Sequence, residues 1–394
     1  MLADELDYVV GVDTHRDQHA LAIVDAHSGA VIAQTTTAAN ARGYIDAVRF
    51  ADRHALGDRL WAVEGSGHYG AGLVRHLQRQ GEQVHEVDRS SRGERRLRGK
   101  DDQLDAVRAA RSPLAHEHRA RPRAGEHQEA LRLLLLARRT AVDTRRVALV
   151  QLRSVIVTAP EGLRDELRRL PLGELLNRCS RFRRSSSRTP AQLATILVLR
   201  TLARRIQTAT DEAETLEREM LSHVRALVPE LLDEPGIGPI VAAQLIVTWS
   251  HHDRIDSEAC FARLAGVAPL PASSGQTTRH RLSRGGDRQL NRALHTIVLH
   301  RRQHDPATKD YIARRISEGK TSRDAVRLHK TLPRPTPLSR HAELDPTDLL
   351  TVIGASFLNC EHRGVPSGPV ARLVSVLFVR DSISECPRVR VSCQ

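Results

Sequence analysis

Apolar and polar positions follow two different rhythms along the chain. Tyr8 to Asp13, YVVGVD, is a compact β-branched run that ends in a carboxylate. HALAIVD and AVIAQTT flank AHSG, a turn whose glycine is placed for a positive φ. These runs predict a strand followed by a hairpin. Helical spacing follows over about 41–55, and LWAVE is the next strand, ending at Glu64. A further helix near 69–80 stops at Gly81, and EQVHEVD is another strand. A hairpin followed by strand–helix–strand units predicts a mixed α/β sheet over residues 1–115.

The rhythm then becomes helical. The basic stretch RSSRGERRLRGK ends at Lys100, and Asp101 or Asp102 can cap the helix that follows. Residues 116–232 carry leucines and valines at helical spacing in EALRLLLLARRTAVDTRRVALVQLRSVIV and LATILVLRTLARRIQTATDEAETLEREML. SRFRRSSSRTP separates the two, so a pair of long antiparallel helices or a coiled coil is predicted, with the stripes as packing surfaces. A third region, 233–332, opens with EPGIGPIVAAQLI, a tight turn leading into a small-residue helix. The turn resembles the hairpin of helix–hairpin–helix DNA-binding elements, whose glycine amides approach phosphate, and it equally fits an ordinary glycine turn. Residues 333–394 shift again, with several prolines and three of the five cysteines.

Composition narrows the function classes. Aromatics make up only 3% of the chain, so the cores must be built of Leu, Val, Ile and Ala. The net charge of +13, nearly all from arginine, points to a polyanionic partner, although a GC-rich genome alone would also enrich arginine. The cysteines show no CxxC spacing, which excludes a zinc ribbon or a disulfide scaffold. No signal-peptide pattern opens the chain and no apolar run approaches the roughly 18 residues of a membrane span. The expectation is a cytoplasmic protein, nucleoid-associated when bound to DNA.

Two groups of residues carry candidate chemistry. Asp13 and Glu64 end strands, and Asp102 and Asp105 are three apart, sharing one face of a helix. Each alone fits a cap or a surface charge. Together they offer oxygen ligands of the kind Mg²⁺ takes, and Asp101 competes for a place because it is four residues from Asp105. The second group lies in FARLAGVAPLPASSGQTTRHRLSRGGDRQLNRALH, where seven arginines face one acid between Gln276 and Arg302. Arg279, Arg281, Arg284, Arg288 and Arg292 are candidate nucleic-acid contacts, because a guanidinium fork suits phosphate. A serine of the Ser-Ser-Gly turn is either a turn residue or a nucleophile toward a phosphodiester.

VGVDTHRDQHALAIVD, AVEGSGHYG and GKDDQLDA resemble the DEDD motif of the insertion-sequence transposases of the IS110 and IS1111 groups. Their usual K-[TS]-D-x-x-D-A stands here as KDDQLDA, with Asp101 in the place of Thr or Ser. EPGIGPIVAAQLI, FARLAGVAPLPASSG and RLSRGGDRQLNRAL are similar to the C-terminal transposase domain of the same family. The resemblance covers about residues 8–330. It implies a ribonuclease H-like (RuvC-like) N-terminal domain over 1–115, a helical coiled-coil linker over 116–232 and a small, mostly α, serine-bearing transposase domain over 233–332. It implies that Asp13, Glu64, Asp102 and Asp105 are catalytic ligands for Mg²⁺, with two ions expected. It makes Ser274 the nucleophile, with Ser273 as neighbouring alternative, and phosphoserine-linked DNA the intermediate. It also implies DNA as substrate, a noncoding guide RNA as partner and a dimer or tetramer as the working assembly. The alternatives are a Mg²⁺-dependent Holliday-junction-type endonuclease and an inactive nucleic-acid-binding remnant. Relatives continue helically after a segment like GKTSRDAVRLHKTL, whereas PRPTPLSRHAELDPTDLL breaks that pattern. The tail is therefore expected to be foreign, as a frameshift would make it. Translating the encoding DNA in the other frames tests this, and the idea fails if no frame restores a family-like helix.

Overall fold

The computed structural model describes residues 4–87, 101–115, 120–123, 125–183, 189–250, 258–271, 280–283, 285–322 and 325–326. The described residues divide into two compact units. One contains residues up to Gly125 together with those of Thr248–Val298 and from Arg302 onward, and the other contains Glu126–Val247 with Leu299–Arg301.

In the first unit, β1 (Tyr8–Thr14), β2 (Gln18–Asp25) and β3 (Val31–Ala38) form an antiparallel meander. The β2–β3 turn uses Gly29 at φ 68°. Helix α1 (Ala41–His54) crosses to β4 (Arg59–Glu64), and α2 (Ala71–Arg79) crosses to β5 (Gln83–Val87). Both β4 and β5 run parallel to their neighbours, giving a mixed five-stranded sheet of order β3-β2-β1-β4-β5. This is the predicted mixed α/β sheet, reached by the predicted hairpin and crossovers. The side chains of β1 and β4 sort by alternation. Val10, Val12, Trp61 and Val63 join the core under α1 and α2, with Ala47, Ala51, Leu73 and Leu77. Val9, Leu60 and Ala62 join the core on the opposite face, with Ala106, Ala109 and Ala110 of α3 (Asp102–Ala115).

Gly11 lies on that second face and sets how closely α3 approaches. A Cβ there would collide with the carbonyl oxygen of Ala106 and the backbone nitrogen of Ala110. The helix backbone therefore rests directly on the strand, which is possible only where the strand has no side chain.

The second unit is built on α4 (Glu126–Val157) and α7 (Pro190–Leu227), with the short helices α5 (Glu161–Leu167) and α6 (Leu172–Ser180) between them. The two long helices are antiparallel. Arg138 of α4 pairs with Glu217 of α7, while Leu152 and Ile156 pack in one core with Ile196, Leu199 and Leu202. Leu167, Leu175 and Cys179 of the short helices close that core. Thr189 caps α7 in a reciprocal box with Gln192, and Pro190 at the first helical position fits the same start. The predicted break at SRFRRSSSRTP thus ends in a helix N-cap. No helix among the described residues is long and apolar enough to cross a membrane.

Downstream lie α8 (Pro239–Trp249), α9 (Glu258–Leu264), the antiparallel pair β6 (Pro269–Pro271) and β7 (His280–Leu282), α10 (Arg288–His304) and α11 (Pro306–Ser317). The EPGIG turn before α8 is held by Arg301. Its Nε donates to the Pro235 carbonyl at 2.8 Å and its Nη2 to Glu234 Oε2 at 2.7 Å. Arg301 is buried, so this member of the arginine-rich stretch supports the fold. Arg301→Ala is expected to cost about 2–3 kcal/mol, because charge-assisted bonds are lost and two acceptors are left behind. Urea unfolding measures it, and a loss within error of zero would show that the turn does not depend on Arg301. The tail, residues 333–394, lies outside the described residues, as does the basic stretch up to Lys100.

Candidate metal centre

Parallel pairing of β1 and β4 sets Val12 opposite Val63, so Asp13 and Glu64 are the next residues on neighbouring strands. By strand alternation Asp13 falls on the face of Val9 and Gly11, and Glu64 on the face of Leu60 and Ala62. Both therefore belong to the face that α3 covers. Helix α3 begins beside these strand ends, and Asp102 and Asp105 occupy its first turn. Asp101 precedes them and starts the helix. Its Oδ1 accepts from the Gln103 N–H at 3.0 Å and its carbonyl accepts from the Asp105 N–H at 3.0 Å. The capping choice left open between Asp101 and Asp102 thus falls to Asp101. Gln103 ties the same turn to the sheet edge, donating to the Thr35 carbonyl at 3.1 Å and to Thr36 Oγ1 at 2.9 Å.

The tightest group is Asp13, His15 and Asp102. One ligand atom from each lies within 4.8 Å of the others. His15 Nε2 is 3.0 Å from Asp13 Oδ2 and 3.2 Å from Asp102 Oδ1. Asp105 is held by Arg108, whose Nη1 donates to Oδ1 at 2.7 Å. Asp13 is only 7% exposed. Burial raises its carboxyl above the ordinary value, His15 opposes that rise, and the charges of Asp105 and Asp102 add to it. After Glu64 the chain turns at Gly65, φ 70°, and Thr14 Oγ1 donates to the Glu64 carbonyl at 2.8 Å, closing the two strand ends together. Glu64 enters by strand register and is not part of the tight group.

Sequence reasoning singled out the four acids and passed over His15. The signal was present in VDTHRD, where a histidine follows Asp13 by two residues, just past the end of β1. The donor set fits a divalent cation. Carboxylates crowd one point and raise the cost of ionising the buried Asp13, and such crowding is relieved by positive charge. Asp13 and Asp102 would hold the ion, His15 is placed to orient them or to bind, and Asp105 becomes available where Arg108 yields.

The second group is only partly described. Ser273, Ser274, Arg279 and Arg284 lie outside the described residues, and Arg281 falls in β7. Arg288 and Arg292 are exposed on α10, opposite its buried Leu290, Ala293 and Ile297. Asp287 caps this helix through the N–H groups of Gln289 and Leu290, and Asn291 Nδ2 donates to the Ala265 carbonyl at 2.8 Å. The GDRQLN stretch thus fixes α10 against the turn after α9, leaving Arg288 and Arg292 outward.

Two family models match the chain. A DEDD-type transposase model of IS110 covers residues 10–159, and a model of the transposase IS116/IS110/IS902 family covers residues 229–313. The uncharacterized 43.6 kDa protein of insertion element IS110 from Streptomyces coelicolor is 32% identical over 133 residues, 33% of this chain and 33% of that protein. The uncharacterized 42 kDa protein of insertion element IS900 from Mycobacterium paratuberculosis is 31% identical over 140 residues, 34% of this chain and 35% of that protein. These alignments span about a third of the length of the relatives.

Proposed function

Because the chain belongs to the IS110-type family of insertion-sequence transposases, we propose that it is the DNA recombinase of a mobile element. The observation that carries this reading is the convergence of Asp13 and Asp102 with His15 at the strand ends, inside the stretch that matches the DEDD transposases. The sheet order, with β2 antiparallel in an otherwise parallel set around β1, supports a ribonuclease H-like domain over 1–115. The remaining boundaries are those of a helical linker over 116–232, a serine-bearing domain over 233–332 and a foreign tail.

Asp13, Glu64, Asp102 and Asp105 are the proposed ligands of Mg²⁺, and two ions are expected. When bound, such ions polarise a phosphodiester and stabilise charge on its attacking and leaving oxygens. The chain's own groups do the rest. Asp13 and Asp102 would hold the ions at the strand ends, where the scissile phosphate would be oriented. Ser274 Oγ attacks phosphorus, losing its proton to solvent. A bond from Oγ to phosphorus forms, and a strand oxygen leaves as a hydroxyl. Attack by a second strand's hydroxyl on the phosphoserine rejoins DNA and restores the serine. Ser273 is the alternative nucleophile. Arg288, Arg292 and the arginines near β7 would hold the phosphate backbone.

The partners proposed are DNA, a noncoding guide RNA and further copies of the chain. Exposed Arg139, Arg145, Arg153, Arg204 and Arg205 on the long helices give these helices a surface suited to backbone contacts. Exposed Leu133, Leu136, Val147, Val150 and Val157 recur at the two alternating heptad positions of α4 that do not face α7, which supports a second copy there.

Strand exchange on DNA carrying the element's ends tests the proposal. Products are expected in Mg²⁺ and none in EDTA. Equal product in both would overturn the metal-dependent reading.

A further inference from the structure

The antiparallel pairing in the second unit brings His127, at the start of α4, against His223, near the end of α7. Their Nδ1 atoms are 2.9 Å apart, and the rings stand edge to face with centroids 5.2 Å apart. Glu219, one turn earlier on α7, places Oε1 3.8 Å from the other nitrogen, Nε2, of His223. We propose that His127 and His223 form a binding site for a divalent d-block cation of the nickel and copper class, separate from the acidic centre.

Three features point the same way. First, the two Nδ1 atoms meet from different helices, and neutral imidazole nitrogens are ligands for such cations. Second, Glu219 Oε1 lies 3.8 Å from Nε2 of His223, too far for a hydrogen bond, and its negative charge favours a hydrogen on that nitrogen, with Nδ1 facing His127. Third, His127 is exposed, so an ion can enter and water can fill its remaining positions. In the ion-free pair one Nδ1 carries the hydrogen and the other accepts it. Binding moves that hydrogen to the other nitrogen of the same ring, so a neutral pair releases no proton.

If the two nitrogens keep this separation when an ion replaces the hydrogen between them, the spacing favours one class of ion. With metal–nitrogen bonds of about 2.0–2.1 Å, a 2.9 Å separation needs an angle at the ion of about 90°. Adjacent positions of square-planar or octahedral coordination meet at that angle, as Cu(II) and Ni(II) provide, whereas tetrahedral zinc needs a wider spacing. A bound ion would clip the first turn of α4 to α7, directly after Gly125, where the chain passes from one unit to the other.

The test titrates Ni²⁺ into the full chain by calorimetry, with Mg²⁺ in excess to occupy the acidic centre. One Ni²⁺ site is expected. It should weaken by more than about tenfold in His127→Gln and in His223→Gln separately, because even changes in outer partners cost about 10–100-fold. Asp13→Asn should leave the site unchanged. Thermal melting without Ni²⁺ should place both histidine variants with the parent. Identical Ni²⁺ isotherms in the parent and both histidine variants would overturn the proposal and assign the binding to other histidines of the 20 in the chain. Absence of binding in the parent would overturn it too.

Discussion

Asp13→Asn is expected to abolish Mg²⁺-dependent DNA cleavage and strand exchange while leaving the fold intact. The carboxylate sits at the end of a central strand, almost fully buried, with Asp102 and His15 in its immediate neighbourhood. Asparagine has the same shape and keeps one oxygen, so packing is preserved. What disappears is the negative charge that would hold a cation. A loss of at least about 100-fold in rate is expected, since even outer partners of metal ligands cost about 10–100-fold. Without divalent metal the variant should be as stable as the parent or more so, because burial and like charge disfavour an ionised Asp13. Thermal melting with and without Mg²⁺ separates the two effects. The parent should gain stability from the ion and the variant should not. A variant that keeps both the rate and the Mg²⁺-dependent shift would remove Asp13 from the site.

Gly11→Val is expected to be nearly as damaging, although Gly11 carries no chemistry. Any Cβ at this position collides with the backbone of α3 at Ala106 and Ala110, so the helix must move away from β1. Asp102 and Asp105 lie within a turn of Ala106 on that helix and must move with it. Overpacking of this kind costs about 1–3 kcal/mol in stability. The larger effect is expected on activity, because a displacement of about 1 Å in a catalytic group can cost about 100-fold. The order of damage tests the claim. Gly11→Ala should fall between parent and valine in both melting temperature and rate, and Gly29→Ala, in the β2–β3 turn away from the site, should lower stability without a specific loss of rate. If Gly11→Ala and Gly11→Val matched the parent in rate, the helix would not depend on this contact for its position.

Gly11 also shows what could not be read in advance. The compact apolar runs YVVGVD and LWAVE, the AHSG turn and the stop at Gly81 were enough to place the strands, the hairpin and both crossovers. Such continuous runs fit strands covered on both faces, as β1 and β4 are. In a strand pattern a lone glycine reads as a weak point, and only the tertiary packing reveals a helix resting on it. The same limit applies to Arg301. In sequence it is one of seven arginines in a basic stretch, yet it is buried on the EPGIG turn. His15 was legible in principle, two residues after Asp13, but its bridging position between Asp13 and Asp102 required α3 to be in place. Which of Asp101 and Asp102 caps the helix was open in the sequence, and the hydrogen bond from the Gln103 N–H gives the cap to Asp101.

The central claim is that a carboxylate centre and a serine from the other half of the chain act in one reaction on DNA. The most direct test is a search for a covalent protein–DNA adduct after the chain has been expressed with its full element DNA and denatured. An adduct in the parent that is lost in both Ser274→Ala and Asp105→Ala is the predicted result. Metal-dependent cleavage that persists in Ser274→Ala, with no adduct in the parent, would contradict the account and leave a junction-type nuclease in its place.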